Sequence, residues 1–195
     1  MCGIAGYIGS RHLQEGILQL CLELMHRRGP DHQGYFHDSP REGRNIYLLS
    51  SRLSIIDLDA RSNQPFLMGS SAIAFNGELY NYLEVKTQFI SRGYKFRTKS
   101  DTEVVLKAIN ELGLDSLDTF EGMFAFAFYN RDTHEVFLAR DRFGEKPLYI
   151  YRDETGIYFG SEIKYIKALL GKPLKVNYDH LYRYLVNGYK ALYKQ

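Results

Sequence analysis

The opening run MCGIAGYIG alternates, with glycines set among apolar positions, and this predicts a strand over 4–9. The period then changes. Leu13, Ile17, Leu20, Cys21 and Leu24 recur at helical offsets, so 12–27 reads as an amphipathic helix, stopped by Gly29-Pro30. Short apolar runs follow at IYLLS (46–50) and AIAF (72–75), and SIID within 50–59 also has strand character. NYLEVKTQFISRG has helical character and ends at Gly93. Ser100 and Glu103 have the spacing of a capping box in front of VVLKAINELG, a helix closed by Gly113.

The second half of the chain differs. MFAFAFYN, EVFLARD, PLYIYR and GIYFG are strand-like and separated by turn-rich segments, with Asp153-Glu154-Thr155-Gly156 reading as a hairpin turn. SEIKYIKALL (161–170) and YDHLYRYLVNG (178–188) read as helices. Strands, helices, a meander and helices again make an α+β order, not a strictly alternating parallel sheet. MFAFAFY is apolar at every position, so both of its faces should be covered, as in sheets sandwiched between other layers.

Composition narrows this little. The 195 residues fit one domain with a short extra element, and 16 Tyr and 12 Phe favour packed sheets. With 25 basic and 23 acidic residues the charges nearly balance, so nothing points to a nucleic-acid partner. The longest apolar stretch, 123–129, is far short of the roughly 18 residues of a spanning helix, so no membrane partner is expected. No basic-then-apolar leader and no Asn-x-Ser/Thr site is present, and the two cysteines form no disulfide framework; a reducing cytoplasm is the expected location. The six histidines lack metal-ligand spacing, DRFG stands without the other kinase motifs, and there is no P-loop or dinucleotide fingerprint. No metal site is expected.

Four stretches could carry chemistry, and each has two readings. Cys2 is either a small hydrophobe of the first strand or, after methionine removal, a nucleophile whose own α-amine serves as base. The amine's ordinary pKa of about 7.7–8.0 lies just below the thiol's about 8.5, so it can take that proton near neutrality. Asn76-Gly77 is either a hairpin turn or the junction of a strand and a helix, where an amide NH₂ beside a glycine N–H makes a two-donor oxyanion hole. Arg52 interrupts an apolar pattern, either as a surface ion pair or as a fork for a carboxylate. Asp101 sits in the first turn of a helix, where a carboxylate is favourable anyway, or it pairs with a substrate ammonium; Glu78 has the same two readings.

Taken in order, MCGIAGYIG, HRRGPDHQG, SRLSIIDL, QPF, FNGELYNY, SDTEVVL, FEGMFAFAFYN, ARDRFGEKPLYI and FGSEIK resemble the glutaminase domain of asparagine synthetase. That domain is a class II glutamine amidotransferase of the N-terminal-nucleophile (Ntn) hydrolase superfamily. The resemblance runs from residue 2 to about 188. It implies a four-layer α/β/β/α sandwich of two stacked, mostly antiparallel sheets. It also implies hydrolysis of L-glutamine through a Cys2 thioester, with Asn76 and Gly77 as the oxyanion hole. Arg52 would hold the substrate α-carboxylate, Asp101 and Glu78 its α-amino group, and the backbone around Leu53 and Ile55 would line the site. No cofactor is implied for this half of the reaction.

Family members continue into an ATP- and Mg-dependent synthetase domain bearing an SGGxDS-type loop, and no such loop occurs here. The expectation is therefore a glutaminase domain over 1–188, with 189–195 as the start of a linker to a domain that this sequence lacks. The ammonia would serve conversion of aspartate to asparagine, and a homodimer is compatible with the resemblance. A sugar or secondary-metabolite carboxylate as acceptor, or a catalytically silent module of the same fold, are the alternatives. One small departure is HRRGPD, where the family more often has Arg-His-Arg-Gly-Pro-Asp.

Overall fold

The phenylalanine–alanine alternation of MFAFAFYN sets the layer order. In a computed structural model, which describes residues 2–188, these residues form strand β6 (Gly122–Asn130). Phe124, Phe126 and Phe128 point to one face and pack on helices. Ala125, Ala127 and Tyr129 point to the other face and meet a second sheet. β6 lies inside a four-stranded sheet of β4 (Phe66–Met68), β5 (Ser71–Leu79), β6 and β7 (Val136–Arg140), every pairing antiparallel. The residues 189–195, read above as the start of a linker, lie outside the described residues.

The second sheet has five strands, in the order β2 (His32–Arg41), β3 (Arg44–Arg52), β1 (Gly3–Gly9), β9 (Gly156–Gly160) and β8 (Tyr149–Asp153), again all antiparallel. Its inner face offers Ile4, Ile46, Leu48 and Phe159 to Ala72, Ala74, Ala125 and Ala127, so large side chains of one sheet fill the space left by small ones of the other. Its outer face, with Ala5, Tyr7, Tyr47, Leu49 and Tyr158, is covered by α1 (Glu15–Met25) and α4 (Ile163–Leu170). Helices α2 (Tyr82–Ser91) and α3 (Asp101–Leu112) cover the outer face of the four-stranded sheet. The result is the α/β/β/α sandwich. α5 (Tyr178–Asn187) buries none of its residues.

Several local expectations need correction. Helix α1 starts at Glu15, and its buried stripe is Leu18, Cys21, Leu22 and Met25, while Leu20 points outward. Leu13 is buried ahead of the helix, its N–H bonded to Tyr47 Oη at 3.1 Å. β2 has no counterpart in the sequence reading. It is an edge strand whose positions alternate between half-buried and exposed, and it tolerates Pro40 because an edge strand need not donate on both sides. SIID is a loop beyond the end of β3, not a strand. Ser100 caps α3 through Thr102 N–H, but Glu103 does not close a capping box. Its carboxylate accepts from the backbone N–H groups of Arg97 and Thr98 and from the Thr98 hydroxyl.

Asn76-Gly77 is neither a turn nor a strand–helix junction. Both residues lie within β5, opposite Ala125 and Phe124, and α2 begins only at Tyr82. The glycine is required by closeness: a Cβ there would stand 2.3 Å from the Met123 carbonyl oxygen.

Candidate active site

One cavity of about 330 Å³ contains all eight residues singled out in the sequence: Cys2, Arg52, Leu53, Ile55, Asn76, Gly77, Glu78 and Asp101. The sheets build it. Cys2 precedes β1 and Arg52 ends the antiparallel partner β3, with Gly3 opposite Ser51 in register. Asn76 follows Ala72 and Ala74 at the inward-facing positions of β5, so its amide projects towards the five-stranded sheet. Asp101 enters from the first turn of α3.

Cys2 is half-buried, and its thiol donates to the Leu53 carbonyl at 3.7 Å. Burial pushes the thiol above its ordinary pKa, so forming a thiolate needs a base. Among the described residues no histidine lines the cavity. Asp101 is 5% exposed, and burial raises its carboxyl to about 6 despite a hydrogen bond from Leu79 N–H at 3.0 Å; the charge of Glu78 pushes in the same direction. A cationic group placed beside Asp101 would favour its charged form.

Arg52 is 4% exposed and makes most of its bonds locally. Nη1 donates to Asp59 O at 3.3 Å and Asn63 Oδ1 at 3.0 Å, and Nη2 donates to Ile56 O at 3.2 Å and to Asp57 O. The guanidinium therefore ties down the 56–63 loop. Asp57, at φ 56°, anchors the same loop: its carboxylate accepts from Lys99 N–H and the Ser62 hydroxyl and is held at about 2. Leu53 contributes the carbonyl that meets the Cys2 thiol, while Ile55 is largely exposed at the rim.

Three supporting residues had no role assigned from sequence. Arg28 donates through Nε to the Cys2 carbonyl at 2.9 Å and through Nη1 to Glu162 at 3.4 Å. Gln64 joins three elements: Oε1 accepts from Phe75 N–H at 2.6 Å and from the Ser50 hydroxyl at 3.5 Å, and Nε2 donates to the Thr102 hydroxyl at 3.2 Å. Asp141 accepts from four backbone N–H groups, those of Phe124, Phe143, Glu145 and Lys146. It thereby folds the DRFGEKP loop so that Glu145 and Lys146 reach the cavity wall. Arg28 and Gln64 lie in HRRGPD and QPF, which the resemblance already marked, but spacing alone does not reveal bonds over such separations. Among the described residues no group of three His, Cys, Asp or Glu side chains is arranged to hold a metal, and no helix is long and apolar enough to cross a membrane.

A family model described as a glutamine amidotransferase domain matches residues 1–195. Asparagine synthetase [glutamine-hydrolyzing] 1 of Bacillus subtilis is 34% identical over 192 residues, covering 95% of this chain and 29% of that protein. Putative asparagine synthetase [glutamine-hydrolyzing] 2 of Methanocaldococcus jannaschii is 36% identical over 211 residues, covering 97% and 40%. Asparagine synthetase B [glutamine-hydrolyzing] of Escherichia coli is 37% identical over 171 residues, covering 84% and 29%. The chain thus spans well under half the length of these relatives. Among solved structures, glutamine phosphoribosylpyrophosphate amidotransferase from B. subtilis superposes with a TM-score of 0.72 at 23% identity, over 87% of this chain and 44% of that one. A structure described as the allosteric regulatory enzyme of purine biosynthesis gives 0.73 at 23% identity, over 86% and 43%. At that identity the likeness establishes the fold.

Proposed function

The chain belongs to the glutamine amidotransferase domain family, and from that premise we propose that it hydrolyses the side-chain amide of free L-glutamine with Cys2 as nucleophile. The observation that carries this reading is the single cavity in which Cys2, the Asn76–Gly77 pair and the buried Asp101 carboxylate meet.

Removal of the initiator methionine would leave a thiol and an α-amine on Cys2. The amine takes the thiol proton, and Sγ attacks the amide carbon. The tetrahedral oxyanion rests on the Asn76 amide NH₂ and the Gly77 N–H, and loss of one such donor costs about 2.7–4 kcal/mol of barrier. The ammonium formed from the α-amine returns the proton to the departing nitrogen, and ammonia leaves. Water then cleaves the Cys2 thioester, releasing glutamate and restoring the thiol. The same amine is the base for the water. Among the described residues the cavity wall contains no histidine, which supports a base supplied by the nucleophilic residue itself.

Substrate choice follows from the charges. Asp101, with Glu78 beside it, takes the α-ammonium, and Arg52 takes the α-carboxylate by exchanging loop oxygens for carboxylate oxygens. Leu53 and Ile55 border the amino-acid end. A site that leaves buried charges unpaired without both groups of the zwitterion rejects peptide-bound glutamine. The hydrolytic half needs no cofactor. Because the curated relatives are named as glutamine-hydrolysing asparagine synthetases, we assign the ammonia to ATP- and Mg-dependent amidation of aspartate by a partner synthetase domain. The free thiols suit a reducing cytoplasm.

The direct test is release of glutamate and ammonia from L-glutamine, with intact mass confirming methionine removal. Wild type is expected to turn over and Cys2→Ala to be inactive. A Cys2→Ala variant as active as wild type refutes the mechanism.

A further inference from the structure

Ser161 follows the last residue of β9 and is fully buried. Its N–H donates to Ile4 O at 2.8 Å, and its hydroxyl oxygen accepts from Ile4 N–H at 3.0 Å. It is thus clamped to the strand that carries Cys2. The same hydroxyl oxygen lies 3.5 Å from Asn76 Nδ2 across the space between the sheets. Asn76 is 1% exposed, and its Oδ1 has no hydrogen-bond partner among the described residues.

As placed, this contact satisfies neither group. Ser161 Oγ accepts twice, and its own proton meets no acceptor among the described residues. Asn76 directs one N–H of its amide at a weak, long contact and leaves a buried oxygen bare. A buried acceptor without a donor costs about 1–3 kcal/mol. A half-turn of the amide about its Cβ–Cγ bond exchanges oxygen and nitrogen. The Ser161 hydroxyl then directs its proton at Oδ1, and a closing of the 3.5 Å separation to hydrogen-bond length pairs both groups. The NH₂ moves to the end of the amide away from Ser161. Asn76 lines the cavity and Ser161 does not, which puts the amide end turned from Ser161 on the cavity side, although the atom at that end is itself buried.

We propose that Ser161 is a positioning residue that locks the Asn76 side chain with its NH₂ towards the glutamine carbonyl. The inference rests on the reading of Asn76 as an oxyanion donor. Ser161 touches no reacting atom and acts through Asn76. Its hydroxyl is suited to the task because the Ile4 N–H already takes one lone pair while its proton has no acceptor among the described residues, so an amide oxygen turned towards it pairs two unsatisfied groups where an amide N–H pairs none. An Asn76 turned the wrong way would present an oxygen to the oxyanion and repel it.

The test is a double-mutant cycle on the full chain, with kcat and KM for glutamine measured by ammonia release. Asn76→Ala should lower kcat by about 10²–10³-fold, the usual loss for one oxyanion donor. Ser161→Ala should lower kcat by about 10-fold or more with KM within about twofold, and should cost nothing further in the Asn76→Ala background. The rate of Cys2 alkylation by iodoacetamide should be unchanged by Ser161→Ala, separating this effect from a displaced nucleophile. If Ser161→Ala does not fold, Ser161→Cys keeps the size and a weak donor, and its kcat should fall between wild type and Asn76→Ala. A Ser161 variant with wild-type kcat beside an impaired Asn76→Ala overturns the inference and leaves the oxyanion reading intact. Multiplicative losses in the double variant also overturn it. An unimpaired Asn76→Ala overturns the oxyanion reading itself.

Discussion

Asp101→Asn should separate what the site needs from what the fold needs. The Asp101 carboxyl is raised from 3.8 to about 6, chiefly by burial. A carboxyl whose folded pKa lies above its unfolded value stabilises the fold when protonated. That contribution is complete below the unfolded value and is lost as pH rises through the folded one. The shift is about two units, so at pH 8 the ionised Asp101 costs the apo protein ~3 kcal/mol relative to its neutral form. Asparagine is neutral at every pH and nearly the same shape, though its NH₂ must find room where the carboxylate accepts from Leu79 N–H. Allowing about 1 kcal/mol for that mismatch, the variant should gain roughly 2 kcal/mol at pH 8. For a chain of this size that is a rise of about 4–8 °C in Tm.

At pH 5 wild type recovers roughly half of that cost by protonating, so the advantage of the variant should shrink markedly. Thermal unfolding followed by circular dichroism at the two pH values measures this. Activity should move the other way. Losing the partner of a buried substrate ammonium costs about 2–5 kcal/mol, so KM for glutamine should rise by ~30-fold or more. Wild-type kcat/KM should fall as pH drops through about 6, because protonated Asp101 no longer pairs with the ammonium. A variant less stable than wild type at pH 8, or a Tm difference independent of pH, would refute the argument that burial of this charge dominates.

The other predictions concern single contacts. Cys21 is buried on the core stripe of α1, so Cys21→Ala should retain glutaminase activity in the ammonia assay while lowering stability by about 1 kcal/mol in urea unfolding. Gly77→Ala puts a Cβ 2.3 Å from Met123 O and should force β5 from β6, costing about 1–3 kcal/mol and most of the activity; a fully active, equally stable variant would remove the close-approach argument. Arg52→Lys keeps a charge but cannot hold four loop oxygens at once, so KM for glutamine should rise and limited proteolysis should cut faster within 56–63; unchanged cleavage would show that the loop does not depend on the guanidinium.

The layered core was legible because burial is periodic. The Phe/Ala alternation of β6 encodes two covered faces, and the structure places helices on one and a sheet on the other. β2 was not legible, since an edge strand buries too little to leave a period. The bonds that brace the site were not legible either. Arg28 reaches Cys2 across 26 positions and Ser161 reaches Ile4 across 157, and no local pattern records such pairs. What does mark the site is the place where a pattern is broken at a cost. Asn76 occupies the inward slot that Ala72 and Ala74 predict to be apolar, Arg52 ends a strand of otherwise buried residues, and Asp101 enters the interior from a helix start. Each is at least 95% buried and polar. Their positions are dictated by the fold, but the fold would be better served by alanine, leucine or asparagine there. Departures of this kind persist where a ligand supplies the missing partner. The three departures converge on one cavity with Cys2 at its wall, and a ligand completing them must carry a hydrogen-bond acceptor, a cation and an anion, the groups that glutamine presents.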